Sequence, residues 1–168
     1  MYTANFGADT FARTKGVQAD IWGYNVNNLT VPTLVSVYTE LMDFLLDNPS
    51  LSSSGFWLLE KFGLGVTASI DDESTAYPWR NTVSYGFFEF NLPDASPQTA
   101  STVATFAKQL RSNLTRGCGN PGGNVYVNYA RGDETPEQLY GKRKLSKLRS
   151  LKRRYDPRSL FNHYNAIR

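Results

Sequence analysis

The stretch TVSYGFFEFNL, residues 82–92, sets the hardest constraint on any fold for this chain. Its β propensity is high, and on a strand its side chains alternate between two faces. Tyr85, Phe87 and Glu89 then share one face, and Ser84, Gly86, Phe88 and Phe90 the other. Both faces are aromatic, so neither is left to water. One packs on helices; the other meets a further layer or a flat ligand. Glu89 becomes an acid in apolar surroundings, where its pKa is expected to rise. Two readings of it stay open, a general base or an edge residue that reaches water.

The remaining chain supplies material for both faces. QADIWGYNV (18–26) reads as a strand. LTVPTLVSVYTELMDFLLDN reads as a helix, with Thr30 as N-cap and Pro32 in the first turn. Leu34, Val37, Leu41, Phe44 and Leu45 recur along it at helical spacing, and Asn48-Pro49 ends it. SLSSSG (50–55) is a loop. FWLLEKF (56–62) and VTASI (66–70) read as strands across a turn at Gly63 to Gly65, followed by a polar loop, DDESTAYPWR (71–80). SPQTASTVATFAKQLRSNL is a second helix, capped at Ser96, with an apolar stripe at Val103, Phe106, Leu110 and Leu114. After the loop TRGCGNPGG, VYVNYA reads as a further strand and TPEQLYGKRKLSKLRSLKRRYDP as a last helix broken at Pro157. Strands joined by short turns, with helices returning across them, predict an α+β fold: a largely antiparallel sheet with helices packed on one face. The length of 168 residues suits one domain. It is expected over 17–168, after a turn-rich extension at 1–16.

Several function classes find no support. No apolar run approaches the ~20 residues of a membrane span, and MYTANFGADTFARTKG lacks the order of a signal peptide. Two glycosylation sequons, at Asn28 and Asn113, are patterns short enough to arise by chance. Cys118 stands alone, so neither an internal disulfide nor a zinc cluster is expected, and in RGCGN it reads as an inert thiol. GxGxxG and GxxxxGK[ST] do not occur. The Gly-rich LTRGCGNPGGN follows a helix and precedes a strand, the reverse of a nucleotide loop. Asp71-Asp72-Glu73 has no EF-hand spacing, and no metal site is predicted.

The net charge of +3 conceals an asymmetry. Residues 142–158 hold nine of the 18 basic side chains, whereas residues 1–141 carry a net of −6. Leu145, Leu148, Leu151 and Tyr155 form a narrow apolar stripe on that basic helix. Such helices bind nucleic acid or anionic membranes in some proteins. Without a base-stacking platform or groove-reading motif, neither partner is expected. A surface helix docked by its leucines, its cations suiting the helix dipole, accounts for the pattern.

What remains is YVNY (126–129), two phenols and an amide crowded into a segment that ought to bury aliphatics. Read as a strand it sends Tyr126 and Asn128 one way and Val127 and Tyr129 the other, unless a bulge brings both tyrosines together. With two other segments it carries a resemblance. TAYPWR resembles the T-A-F-P-H-R segment of the berberine bridge enzyme-like, FAD-linked oxidases of the vanillyl-alcohol oxidase superfamily. YVNYARGDETPEQLYG resembles their Y-x-N-Y segment with its downstream Y-G. LRSLKRRYDPRSLFNHYNAI is similar to their L-x-x-x-K-x-x-Y-D-P-x-x-L-F ending. The three occur in family order, and the likeness runs from about Phe56 to the end, plausibly from Val17, with the berberine bridge-like segment at about 124–168.

The resemblance implies the C-terminal, substrate-side domain of a flavin oxidase acting on an alcohol, a sugar or a phenolic or alkaloid-like metabolite. Tyr126 and Asn128 are implied to contact the FAD ring. Tyr129 is implied as catalytic base, its phenol lowered by cations or hydrogen bonds, with Glu89 near the position of the family's acid or amide. Trp79 stands where the family has His, and Arg80 is expected to be structural. Nothing in the chain resembles the family's pyrophosphate loop or covalent flavin attachment site. A fragment, a truncated product or half of a split enzyme is therefore expected, with little activity by itself. Its partners would be an FAD-binding domain on other sequence, a small-molecule substrate, or further copies of the chain through an exposed flavin-facing surface. The rival readings are a non-catalytic binding or scaffold protein derived from such an enzyme, and a basic-helix binder of anionic surfaces.

Overall fold

The computed structural model describes residues 18–51, 55–92, 94 and 96–168. The expected extension at 1–16 and the middle of the loop SLSSSG lie outside them. The order of elements is β1 (Gln18–Val26), α1 (Val31–Asp47), β2 (Phe56–Lys61), α2 (Gly65–Ser69), β3 (Ser84–Leu92), α3 (Pro97–Gly117), α4 (Pro136–Tyr140) and α5 (Lys142–Tyr155). The aromatic strand β3 is central: the sheet runs β1-β3-β2, antiparallel throughout. This is the α+β arrangement expected, with a small sheet.

The alternation of β3 is realised on both faces. Phe88, Phe90 and Leu92 join Trp22, Tyr24 and Val26 of β1 in one buried layer. Against it pack Val37 and Leu41 of α1 and Val103, Ala107, Leu110 and Leu114 of α3, each large apolar group worth roughly 1.5–3 kcal/mol on burial. The helices begin where the sequence marks them, though by different means. Ser96 accepts a hydrogen bond from the Thr99 N–H at 3.2 Å. Thr30 precedes α1 without capping a backbone N–H, and its hydroxyl donates to Thr33 Oγ1 at 2.7 Å.

Three expected elements differ. VTASI is a helical turn, α2, rather than a strand; none of its residues is buried. Among the described residues it pairs with no strand, and its backbone satisfies itself locally, as in Ala68 N–H to Leu64 O at 2.8 Å. VYVNYA is not a strand: Val127–Tyr129 form a single 3₁₀ turn. Its amides bond within the segment, Tyr129 N–H to Tyr126 O at 2.8 Å and Ala130 N–H to Val127 O at 3.3 Å. The last helix is interrupted at Gly141, whose φ of +74° closes α4 and turns the chain into α5.

The apolar stripe of α5 is only partly used. Leu145 is buried, whereas Tyr155 is 72% exposed. The helix is held as much by charge. Lys144, also buried, donates to the carbonyls of Asp72 and Thr75, and Arg143 pairs with the Asp72 carboxylate at 2.6 Å. Among the described residues no helix is long and apolar enough to cross a membrane.

Candidate active site

The face of the sheet opposite α1 and α3 carries the site. Register sets Asn25, Tyr85 and Glu60 side by side across β1, β3 and β2, with Gly23, Phe87 and Leu58 in the next row. The 3₁₀ turn lies across this face at Gly23. A Cβ there would fall 2.0 Å from the Tyr129 carbonyl oxygen, so only glycine admits the turn so closely. Asn25 fixes the approach from the other side, accepting the Tyr126 N–H at 2.9 Å through its side-chain oxygen. Trp79, in the place of the family's His, donates its indole N–H to Val125 O at 3.2 Å and ties the start of the segment to the YPWR turn.

So placed, the Tyr129 ring meets Phe87 edge to face at 5.0 Å and its hydroxyl donates to Glu60 Oε2 at 2.6 Å. Tyr126 packs edge to face on both Tyr129 and Tyr85, at 5.5 and 5.8 Å. The Tyr85 hydroxyl is hydrogen-bonded to that of Tyr77. Glu60, Phe62, Tyr77, Tyr85, Tyr126 and Tyr129 enclose an open cavity of about 320 Å³. Asn128 is exposed at its margin and donates its amide N–H to the Tyr126 hydroxyl at 2.8 Å.

The electrostatics of Tyr129 differ from what the resemblance implied. Its hydrogen bond to Glu60, reinforced by desolvation, pushes the phenol up to about 12. The group beside it is a carboxylate rather than a cation, so the hydroxyl stays protonated at neutral pH. Tyr77 is pushed up as well, by burial first and then by its bond to Tyr85. Burial also raises Glu89, as expected for an acid among aromatics. Glu89, however, does not line the tyrosine cavity. It borders a second hollow of about 300 Å³ beyond the start of β2, with Trp57 and α1 residues such as Leu41.

Tyr129 and Tyr126 are therefore brought together, with Asn128 beside them and Glu89 apart. Glu60, Phe62, Tyr77 and Tyr85 complete the cavity; Tyr85 was placed only on a strand face, and the other three had no site role in the sequence. The signal for Glu60 was present, since it is the one acid in the apolar strand FWLLEK; its match with a phenol 69 residues away was not.

The turn's exit is clamped. Arg131 grips Asp20 of β1 at 2.6 Å, and Arg111 of α3 binds Asp133 at 2.7 Å and Glu134 at 2.9 Å. Both guanidinium groups stack on Trp22, 4.2 Å and 4.9 Å from its ring centre. Arg80 donates to Thr75 Oγ1 at 2.5 Å and lies 5.9 Å from the Tyr77 ring centre, a local anchor in keeping with a structural role.

A small antiparallel sheet backed by helices on one face and crossed by a tyrosine-bearing turn on the other is a fold shared with berberine bridge enzyme-like proteins. Residues 125–168 match the family described as berberine and berberine like. The chain is 38% identical over 149 residues to the FAD-linked oxidoreductase srdI of Neurospora crassa, covering 88% of this chain and 29% of that protein. It is 32% identical over 166 residues to the FAD-linked oxidoreductase OXR1 of Pyricularia oryzae, covering 98% and 32%. Among solved structures, berberine bridge enzyme from Eschscholzia californica shares the fold with a TM-score of 0.72 at 15% identity, covering 92% of this chain and 34% of that one. The glycopeptide hexose oxidase DBV29 does so with a TM-score of 0.68 at 21% identity, covering 91% and 32%. The chain thus spans about a third of the length of the relatives it matches.

Proposed function

We propose that this chain forms the substrate side of an FAD-linked oxidoreductase and handles the hydroxyl proton of a small-molecule alcohol, sugar or phenolic metabolite. The observation that carries the reading is the 2.6 Å Tyr129–Glu60 hydrogen bond inside a tyrosine-walled cavity. FAD, when bound, supplies the two-electron chemistry by accepting hydride from the substrate carbon. The chain's own residues manage the proton. Because Tyr129 is protonated at neutral pH, it acts as a relay: its oxygen accepts the substrate proton while its own proton passes to Glu60 Oε2. The substrate O–H bond breaks, the phenol is regenerated and the carboxylate becomes an acid.

The residues present suit one face of a flat ring system. Phe62, Tyr85 and Tyr126 present a neutral aromatic wall, and the exposed amide of Asn128 lies at its edge. Tyr126 and Asn128 are the side chains that would hold the flavin there. Likeness in fold to a glycopeptide hexose oxidase and to berberine bridge enzyme supports hydroxylated or aromatic substrates without choosing between them.

The test is a chimera in which this chain replaces the matching third of the Neurospora crassa relative. Flavin reduction is then followed against a panel of primary and secondary alcohols. Tyr129→Phe and Glu60→Gln are expected to slow reduction by about 10²–10⁴-fold with the flavin still bound. A chimera that reduces its flavin equally well with Tyr129→Phe would sink the reading. One that binds flavin but oxidises nothing would favour a non-catalytic scaffold.

A further inference from the structure

The carbonyls of the tyrosine-bearing turn point to a second role for the C-terminal tail. A 3₁₀ turn of three residues has little hold on its own conformation, since its hydrogen bonds are few and poorly aligned. Here both ends are gripped from outside by residues more than thirty positions later. The Tyr164 hydroxyl donates to Ala130 O, immediately after Tyr129. The Asn165 amide donates to Val127 O, two residues before it, at 3.2 Å.

The tail is itself fixed in place. Tyr140 of α4 donates to Asn165 O at 2.5 Å. Asn165 adopts a φ of +56°, a left-handed conformation that asparagine tolerates better than most residues. Further back, Asp156 accepts the N–H groups of Leu160 and Phe161, and Lys152 bonds both Asp156 and Phe161 O at 2.5 Å. At the far end Arg149 of α5 donates to Arg168 O at 2.9 Å. The chain after α5 is thus pinned at its start, middle and end, and its pinned middle is what holds the turn. Little of this is apolar burial: Tyr164 is 68% exposed and Phe161 80%. A tail bonded this way, with its rings left in solvent, contributes position more than stability.

We propose that Tyr164 and Asn165 are positioning residues that hold the Val127–Ala130 turn so that the Tyr129 hydroxyl meets Glu60. Neither lines the tyrosine cavity, and both reach the turn through its main-chain carbonyls. The inference deepens the proton-relay reading and rests on it for its catalytic meaning. The geometry it asserts can be measured without catalysis.

The experiment uses the full chain labelled with ¹³Cζ-tyrosine, at neutral pH. The Tyr129 signal is assigned by its disappearance in Tyr129→Phe, and its dependence on the carboxylate is set by its shift in Glu60→Gln. Tyr164→Phe keeps the ring and removes only the donor; Asn165→Asp keeps the size and removes the amide. The pair of substitutions is expected to move the Tyr129 signal more than half of the way to its Glu60→Gln position, with the circular dichroism spectrum and the melting profile unchanged. An unmoved Tyr129 signal in a folded double variant overturns the proposal. In the chimera with the Neurospora crassa relative, the same pair should lower the rate of flavin reduction roughly ten- to a hundredfold. A shifted signal in a chimera that oxidises nothing would leave the strap intact and remove the relay. An active chimera indifferent to both substitutions would leave the relay intact and remove the strap.

Discussion

Residues 18–117 and residues 125–168 are built on opposite principles. The first region buries aromatic and aliphatic side chains between a sheet and two helices, and its backbone is satisfied in ladders and helical turns. The second buries little, with Val125, Ala130 and Leu139 as its apolar centre. Side chains reaching backbone carbonyls and amides hold it instead, from Trp79, Gln138, Tyr140, Tyr164 and Asn165. The site lies on the seam: Glu60, Tyr77 and Tyr85 come from the first region, Tyr126 and Tyr129 from the second. A rigid face therefore supplies the carboxylate, and a hydrogen-bonded segment that burial alone does not lock delivers the phenol.

Phe88→Ala should break the comparison most severely. It removes a fully buried ring from the sheet core, and a loss of about 3–5 kcal/mol is expected from urea unfolding. If the second region rests on the first, the Tyr129–Glu60 contact disappears in the same transition; a separate, earlier transition for the contact would show the two to be independent. Gly23→Ala acts on the seam alone. Its Cβ meets the Tyr129 carbonyl, so the turn must lift, at a cost of about 1–3 kcal/mol. Gly63→Ala, with open space around its Cβ, should stay within about 0.5 kcal/mol.

Thr135→Ala sharpens the description of the second region. Thr135 and Gln138 form a reciprocal capping box at the start of α4, and its loss should cost about 1 kcal/mol by thermal unfolding. The smallest effect belongs to pH. Tyr129 titrates near 12 when folded, above the ordinary value of 10. Its contribution is therefore complete below pH 10 and is lost as pH rises through 12. Glu60→Gln should remove that contribution, lowering stability below pH 10 and flattening its decline in the alkaline window. An undiminished alkaline slope in the variant would mean that the phenol is raised by something other than the carboxylate.

The same division explains what the sequence disclosed. Periodicity reports burial, so β3, α1 and α3 were legible in the alternation of SYGFFEF and in the helical spacing of Val37, Leu41, Leu110 and Leu114. The second region has almost no periodic burial to report. Its Val-Tyr-Val-Asn-Tyr composition carries β propensity, yet the segment never joins the sheet, because local hydrogen bonds and the tail claim its backbone first. VTASI pairs with no strand among the described residues, so its β propensity does not count there. The tyrosines of YVNY drew notice through their family pattern, and Glu60 did not, since pairing across 69 residues is a property of register and turn geometry.

The stack on Trp22 has an optical consequence. The chain holds three tryptophans. Trp57 and Trp79 each donate an indole N–H within the fold. Trp22 is 2% exposed and lies against two guanidinium groups, one from α3 and one from the segment that carries Tyr129. Should the two regions part, Arg131 leaves and water reaches the Trp22 ring, moving its emission to longer wavelength. The molecule thus contains its own fluorescent gauge of the seam, readable without any added label.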